Sequence, residues 1–244
     1  MALSPLVFGL AAAAGNVAGA LAVVWEERRS LAFIQTCLAV GAGFMLALVL
    51  VGVLPEVFAV PEGQVAAGVL VLFGYLIVHV AQHVIPPHFH FGEETHAVTA
   101  RAGYSALLGL TLHAFFDGVA IAAGFLVSWN LGVLFFLAVV LHKLPEGVTI
   151  ASLMLAGGLS RRRALGAGLV LGVATIAGVL LTEAVAPLAR YGLAIAAGVT
   201  LYVAASNLVP EFQASKGARM TAAFLGGAAA LLLLRSLGGA GGLP

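Results

Sequence analysis

The chain has 244 residues, 62% of them hydrophobic and 9% charged, with a mean hydropathy of +1.12 and a formal net charge of +1. A soluble domain keeps roughly a quarter of its residues charged, so this chain lacks a polar surface for water and has lipid as its main solvent. The small net charge excludes a nucleic-acid binder, which needs a basic patch. The lone Cys37 excludes an internal disulfide and a thiolate metal cluster.

Polar breaks divide the chain into eight apolar runs, roughly 6–25, 31–54, 64–85, 103–127, 131–156, 164–186, 191–209 and 220–237. Each is close to the ~20 residues, at 1.5 Å rise, that cross about 30 Å of hydrocarbon. A barrel would instead show ~10-residue strands of alternating polarity. The predicted fold is all-α, with eight transmembrane helices in a single domain over 1–244. The first run has no basic n-region and no small-residue cleavage site, so it reads as a span and not as a signal peptide. The second ends on Pro55 and Glu56.

After the third run comes "HVAQHVIPPHFHFGEETH". His79 and His83 share a helix face near the membrane edge, while His88, His90 and His96, with Glu93 and Glu94, fall in the loop 86–102. Such tracts bind divalent metals, loosely where the backbone is mobile. A receiving or sensing role for this loop stands beside that of a plain solvated one.

The fourth and fifth runs hold charges near their middles: Asp117, Lys143 and Glu146, with His113 and His142 beside them. A charge at the bilayer centre costs at least ~2.5–3.5 kcal/mol on insertion scales, so each is expected to meet a partner or a cavity. In "LHAFFDG" and "LHKLPEG" the histidine and the acid are spaced i, i+4, which puts both on one helix face. The short turn Ser128–Asn130 makes the two helices antiparallel neighbours. Two imidazoles and two carboxylates converging at mid-membrane suit Zn²⁺ or another borderline first-row divalent ion. Pro145 removes a donor and crowds the Leu141 carbonyl, which is expected to kink the helix beside the site, and Gly118 and Gly147 allow close helix approach.

The seventh run contains "AGVTLYVAASNLVPE" (197–211), which shares A-G-x-x-L and P-E at identical spacing with "AGFMLALVLVGVLPE" (42–56). In an N-out chain the first Pro-Glu exits outside and the second inside. That is the mark of an inverted repeat, the ground plan of many alternating-access carriers. Spans 1–3 and 6–8 would mirror each other around spans 4–5 in a 3+2+3 arrangement. Glu56 would sit at the outer mouth and Glu211 at the inner one, with Asn207 offering a neutral oxygen on the exit path. Plain helix termination by Pro-Glu at the interface accounts for both acids equally well.

With the N-terminus outside, the inner face receives Arg28, Arg29, Arg101, Arg161, Arg162, Arg163, Lys216 and Arg219, and the outer face only Arg190 and Arg235. This asymmetry follows the positive-inside rule and places both termini outside the cytoplasm, in a multi-pass protein of the cell (inner) membrane.

"HAFFDG" and "HKLPEG" resemble the fourth- and fifth-helix signatures of the ZIP (Zrt/Irt-like) family of divalent metal transporters, usually HNxxDG or HNxxEG and HNxPEG. The chain looks like a bacterial-type member, an HKLPEG variant. The resemblance implies a transport site of His113, Asp117, His142 and Glu146, with the metal moving towards the cytoplasm as substrate and no resident cofactor. Many members carry a second metal site that uses the residue after each histidine and an acid on the sixth helix. Here those positions are Ala114 and Lys143, with Thr175 or Gly178 in the sixth run and Glu183 near its outer end, so the second site is expected to be lost. The ammonium of Lys143 would take its place and pair with Asp117 or Glu146. The expected partners are the metal ion and the bilayer, with a homodimer left open and no nucleic acid. Two other readings are a membrane-embedded zinc hydrolase, whose H-E-x-x-H motif is absent, and a passive metal-selective channel.

Overall fold

A computed structural model describes residues 4–25, 31–59, 63–83, 100–210 and 218–240. Among them eight helices are long and apolar enough to cross a membrane, and the chain is an all-helical, multi-pass membrane protein. The helices are α1 (Pro5–Trp25), α3 (Gln64–His83), α4 (Ala100–Val127), α5 (Trp129–Ala156), α6 (Arg161–Ala184) and α8 (Ala218–Ala240), together with two composite ones. Helix α2 opens as Leu31–Ala47, widens into a π-helical turn at Leu48–Val53 and ends as Leu54–Val57. Helix α7 opens as Ala186–Tyr202 and widens likewise at Val203–Leu208. Several helices begin before the apolar runs do: α4 at Ala100, α6 at Arg161 and α7 at Ala186. Arginine is a good helix former, so the backbone stays helical where hydropathy has already fallen.

The π turns were not legible as such, but their cause was. Each stands just before a proline, Pro55 or Pro210. A proline gives no N–H to the carbonyl four residues back, and its ring crowds that carbonyl. Widening the preceding turn relieves the crowding, as in the i+5 bonds from Leu54 N–H to Val49 and from Val209 N–H to Ala204. The Val51 carbonyl, deprived of its donor by Pro55, accepts from the Arg235 guanidinium of α8. At the matching place in α7 the hydroxyl of Ser206 pairs with that of Tyr75 on α3 at 3.1 Å. When 42–56 is laid on 197–211, the two π turns coincide.

Helices α1, α5, α4 and α6 close into a central ring, while α2 pairs with α8 and α3 with α7 on its flanks. Lipid tails are as apolar as leucine, so close backbone packing has to supply the attraction between helices. Glycines do this at repeated positions. A β-carbon on Gly43 would come within 2.8 Å of the Phe224 carbonyl carbon, and one on Gly227 within 2.9 Å of that of Val40, which fastens α2 to α8. Gly198 against Val71 and Gly74 against Ile195, each at 2.9 Å, fasten α7 to α3 in the same register. In the ring, Gly118 and Gly178 lock α4 on α6 as Gly147 and Gly19 lock α5 on α1. Thus α2 meets α8 as α7 meets α3, and α1 meets α5 as α6 meets α4.

Only Ser128 separates α4 from α5, one residue where three were expected. It is extended (φ −160°, ψ 155°), and its hydroxyl accepts from the Leu131 N–H at 3.2 Å, capping α5. Over this end of the hairpin Phe8 packs against Phe125, Phe136 and Trp129, with ring centroids 4.6, 5.0 and 5.6 Å away.

Candidate metal centre

The helical spacing of His113 and Asp117 on α4, and of His142 and Glu146 on α5, brings all four side chains together. All are buried, and each offers a ligand atom within 4.8 Å of the others. Zinc holds nitrogen and oxygen ligands at about 2.1 Å and so keeps them within about 4.2 Å of one another; the cluster needs only a small contraction to close on an ion. Helix α5 runs unbroken through the buried Pro145, which sits within the ligand pair.

Asp117 Oδ2 is the hub. It lies 3.3 Å from His113 Nε2, 3.2 Å from His142 Nε2 and 2.7 Å from Lys143 Nζ. The two imidazoles are stacked, with centroids 5.3 Å apart. His142 Nδ1 is 2.9 Å from the Ala138 carbonyl and donates to it. Such a backbone contact fixes the tautomer and aims the free nitrogen in metal-ligating histidines. Here that nitrogen faces Asp117 Oδ2 at 3.2 Å. Lys143, fully buried, also donates to Glu146 Oε2 at 2.7 Å, so its ammonium bridges the two acids.

One member of the cluster escaped the sequence reading. Asn16, from the middle of α1, donates through Nδ2 to Glu146 Oε2 at 3.0 Å and is completely buried. The signal was available, since it is the one polar side chain in the 21 residues of α1. Three buried atoms at the centre have no hydrogen-bond partner: Asn16 Oδ1, His113 Nδ1 and Glu146 Oε1.

The remaining candidates stand apart from this cluster. Glu56 is exposed on the last turn of α2, and Asn207 is half-buried in the π turn of α7. His79 is exposed, with its ring 5.8 Å from that of Tyr202. Thr175, on α6, is buried and donates to its own helix at the Leu171 carbonyl, 3.2 Å away, while Glu183 is exposed near that helix's end. Glu211 and the loop residues His88, His90 and His96 lie outside the described residues.

A polytopic helical membrane protein with a buried cluster of nitrogen and oxygen groups that could hold a metal ion is the class that this fold and site define. The chain belongs to the ZIP family: the family model described as ZIP Zinc transporter matches residues 87–235. Among its relatives, human zinc transporter ZIP4 is 35% identical over 141 residues, covering 54% of this chain and 22% of that protein. Xenopus laevis zinc transporter ZIP9-A is 29% identical over 157 residues, covering 59% of this chain and 52% of that protein. The Drosophila melanogaster zinc transporter ZIP13 homolog is 32% identical over 117 residues, 45% of this chain and 33% of that protein. These matches span from about a fifth to about half of the relatives' own lengths.

Proposed function

We propose that the protein carries a divalent transition-metal ion, zinc foremost, through the membrane towards the cytoplasm, with His113, Asp117, His142 and Glu146 as its ligands. The observation that carries this reading is the cluster of two imidazoles and two carboxylates, buried midway along two adjacent apolar helices. Two carboxylates offset the 2+ charge in a low dielectric, and the mixed nitrogen–oxygen set suits a borderline ion. Zinc transporters among the relatives point the same way. The repeated packing of α1–α3 and α6–α8 supports alternating access through an inverted repeat. A hydrolase needs a coordination position open to water, and this cluster already offers four protein ligands. The charge asymmetry supports an inner-membrane protein with both ends outside the cytoplasm, Glu56 at the outer mouth, Asn207 and Glu211 at the inner one, and His88, His90 and His96 receiving the ion.

Lys143 acts as a tethered cation. With neutral imidazoles the metal-free cluster has a net charge of −1, because one ammonium bridges two carboxylates. An arriving ion competes with that ammonium for Asp117 Oδ2 and for the charge of the Glu146 carboxylate, and on its departure the lysine pairs the two acids again. The second metal site of other family members is replaced by this group. Lys143→Ala is therefore expected to bind zinc about tenfold more tightly, one 1.4 kcal/mol step, and to release it more slowly. Affinity by chelator competition and turnover in proteoliposomes check this; unchanged values for both would count against the tethered-cation role.

Uptake of radiolabelled zinc into proteoliposomes tests the function itself. Saturable flux, inhibited by competing divalent ions, is expected. Folded protein that binds zinc and shows no flux would overturn the transport reading.

A further inference from the structure

We propose that Asn16 is a positioning and specificity-determining residue of the ion site: Nδ2 holds the Glu146 carboxylate, and Oδ1 supplies a neutral oxygen to the ion. The inference rests on the site binding a divalent ion, as proposed above. An amide in the middle of an apolar span is costly unless its polar atoms are satisfied. Here Nδ2 is satisfied by Glu146 Oε2 at 3.0 Å, and Oδ1 of the same amide is buried without a partner. Buried polar atoms in folded proteins nearly always have partners, yet three at this centre have none. Two of these, Asn16 Oδ1 and Glu146 Oε1, can only accept. A cation satisfies such oxygens together.

Packing does not account for the amide. The close approach of the neighbouring helices at this position is to the Asn16 backbone: a β-carbon on Gly147 would come within 2.8 Å of its carbonyl carbon, and one on Gly168 within 3.1 Å of its carbonyl oxygen. The corresponding place on α6, where Gly118 meets the backbone, is occupied by Thr175, whose hydroxyl turns back to its own helix. Close approach thus requires no amide. Laying His113…Asp117 on His142…Glu146 also brings Ala114 onto Lys143. One helix of the pair therefore supplies the ammonium, which reaches both acids, and only the acid of that helix meets an amide. Glu146 Oε2 is held from two sides, by Lys143 Nζ at 2.7 Å and by Asn16 Nδ2 at 3.0 Å. That leaves Oε1 as the oxygen presented to an ion.

The test is binding and selectivity in purified protein. Zinc and cadmium affinities would be measured by competition with a fluorescent chelator for the parent, Asn16→Leu, Asn16→Asp and Asn16→Thr. Asn16→Leu removes donor and acceptor at similar volume. It is expected to weaken zinc binding by about 10- to 100-fold, as removal of groups supporting a metal ligand does. Cadmium should lose less, because the softer ion depends less on oxygen. Asn16→Asp keeps an oxygen in place and is expected to recover zinc affinity. If Asn16→Leu does not fold, Asn16→Thr, which copies the residue at position 175, carries the test with the same expectation. Parental zinc affinity and parental zinc-to-cadmium ratio in either folded variant would overturn the proposal. Zinc binding that is sensitive to Asn16 in a protein without flux would sink the transport reading and leave this inference standing.

Discussion

Asp117→Asn is expected to bring saturable zinc uptake down to the level of empty liposomes, a loss of more than about 100-fold, in protein that still folds. Asp117 Oδ2 has two imidazole nitrogens and an ammonium within 3.3 Å, and no other atom of the centre serves as many partners. Asparagine keeps the shape and an oxygen, so the loss would reflect charge and ligand strength. Removing groups that merely support ligands costs 10–100-fold in metal affinity, and removing a charged ligand should exceed that. Lys143 keeps Glu146 as its partner in the variant, which spares it the 3–5 kcal/mol typical of stranding a buried charge. Uptake by Asp117→Asn within twofold of the parent, in monodisperse protein, would remove Asp117 from the ligand set.

The second large effect is on folding. Gly147→Ala is expected to destabilise the protein by about 1–3 kcal/mol, the usual cost of overfilling a packed interior, lowering the unfolding midpoint by roughly 5 °C. A methyl group there would fall 2.8 Å from the Asn16 carbonyl carbon and 2.9 Å from its Cα. These are backbone atoms that cannot step aside, so α1 has to retreat from α5. The retreat also draws the Asn16 amide away from Glu146, and zinc affinity should fall with stability. Gly166→Ala is the control. Nothing lies within 4 Å of its β-carbon position, and alanine is the better helix former. Trp129, at the start of α5, gives an intrinsic fluorescence signal for the melt. Equal midpoints for the two variants would show that the α1–α5 approach is looser than its geometry.

Much of this was legible in the sequence because membrane spans obey simple constraints. Length and hydropathy fix the number of helices, since no other lipid-exposed structure satisfies its backbone. His113, Asp117, His142 and Glu146 were legible because i, i+4 spacing converts directly into a shared face, and because charged groups at that depth need partners. Lys143 was expected to pair with one acid or the other; it reaches both. Asn16 was hidden for the opposite reason. An amide is neutral and disturbs hydropathy little, and nothing in local spacing says that α1 crosses α5 at Gly147. That contact belongs to tertiary packing. The π turns were hidden too, because a proline announces a disturbance without saying whether the helix kinks, breaks or widens.

The single residue between α4 and α5 sets a direction for the site. Two rods joined through one extended residue behave as tongs: their tips can part, but their joint cannot. Each rod carries one histidine and one acid, so on the proposed reading the grip on an ion would tighten or slacken as the tips close or spread. At the joint Phe8, Phe125, Trp129 and Phe136 fill the space over Ser128. A metal leaving through a spread of the tongs therefore leaves away from that aromatic lid, and access from the lid side requires α1, which bears Phe8, to shift against the hairpin.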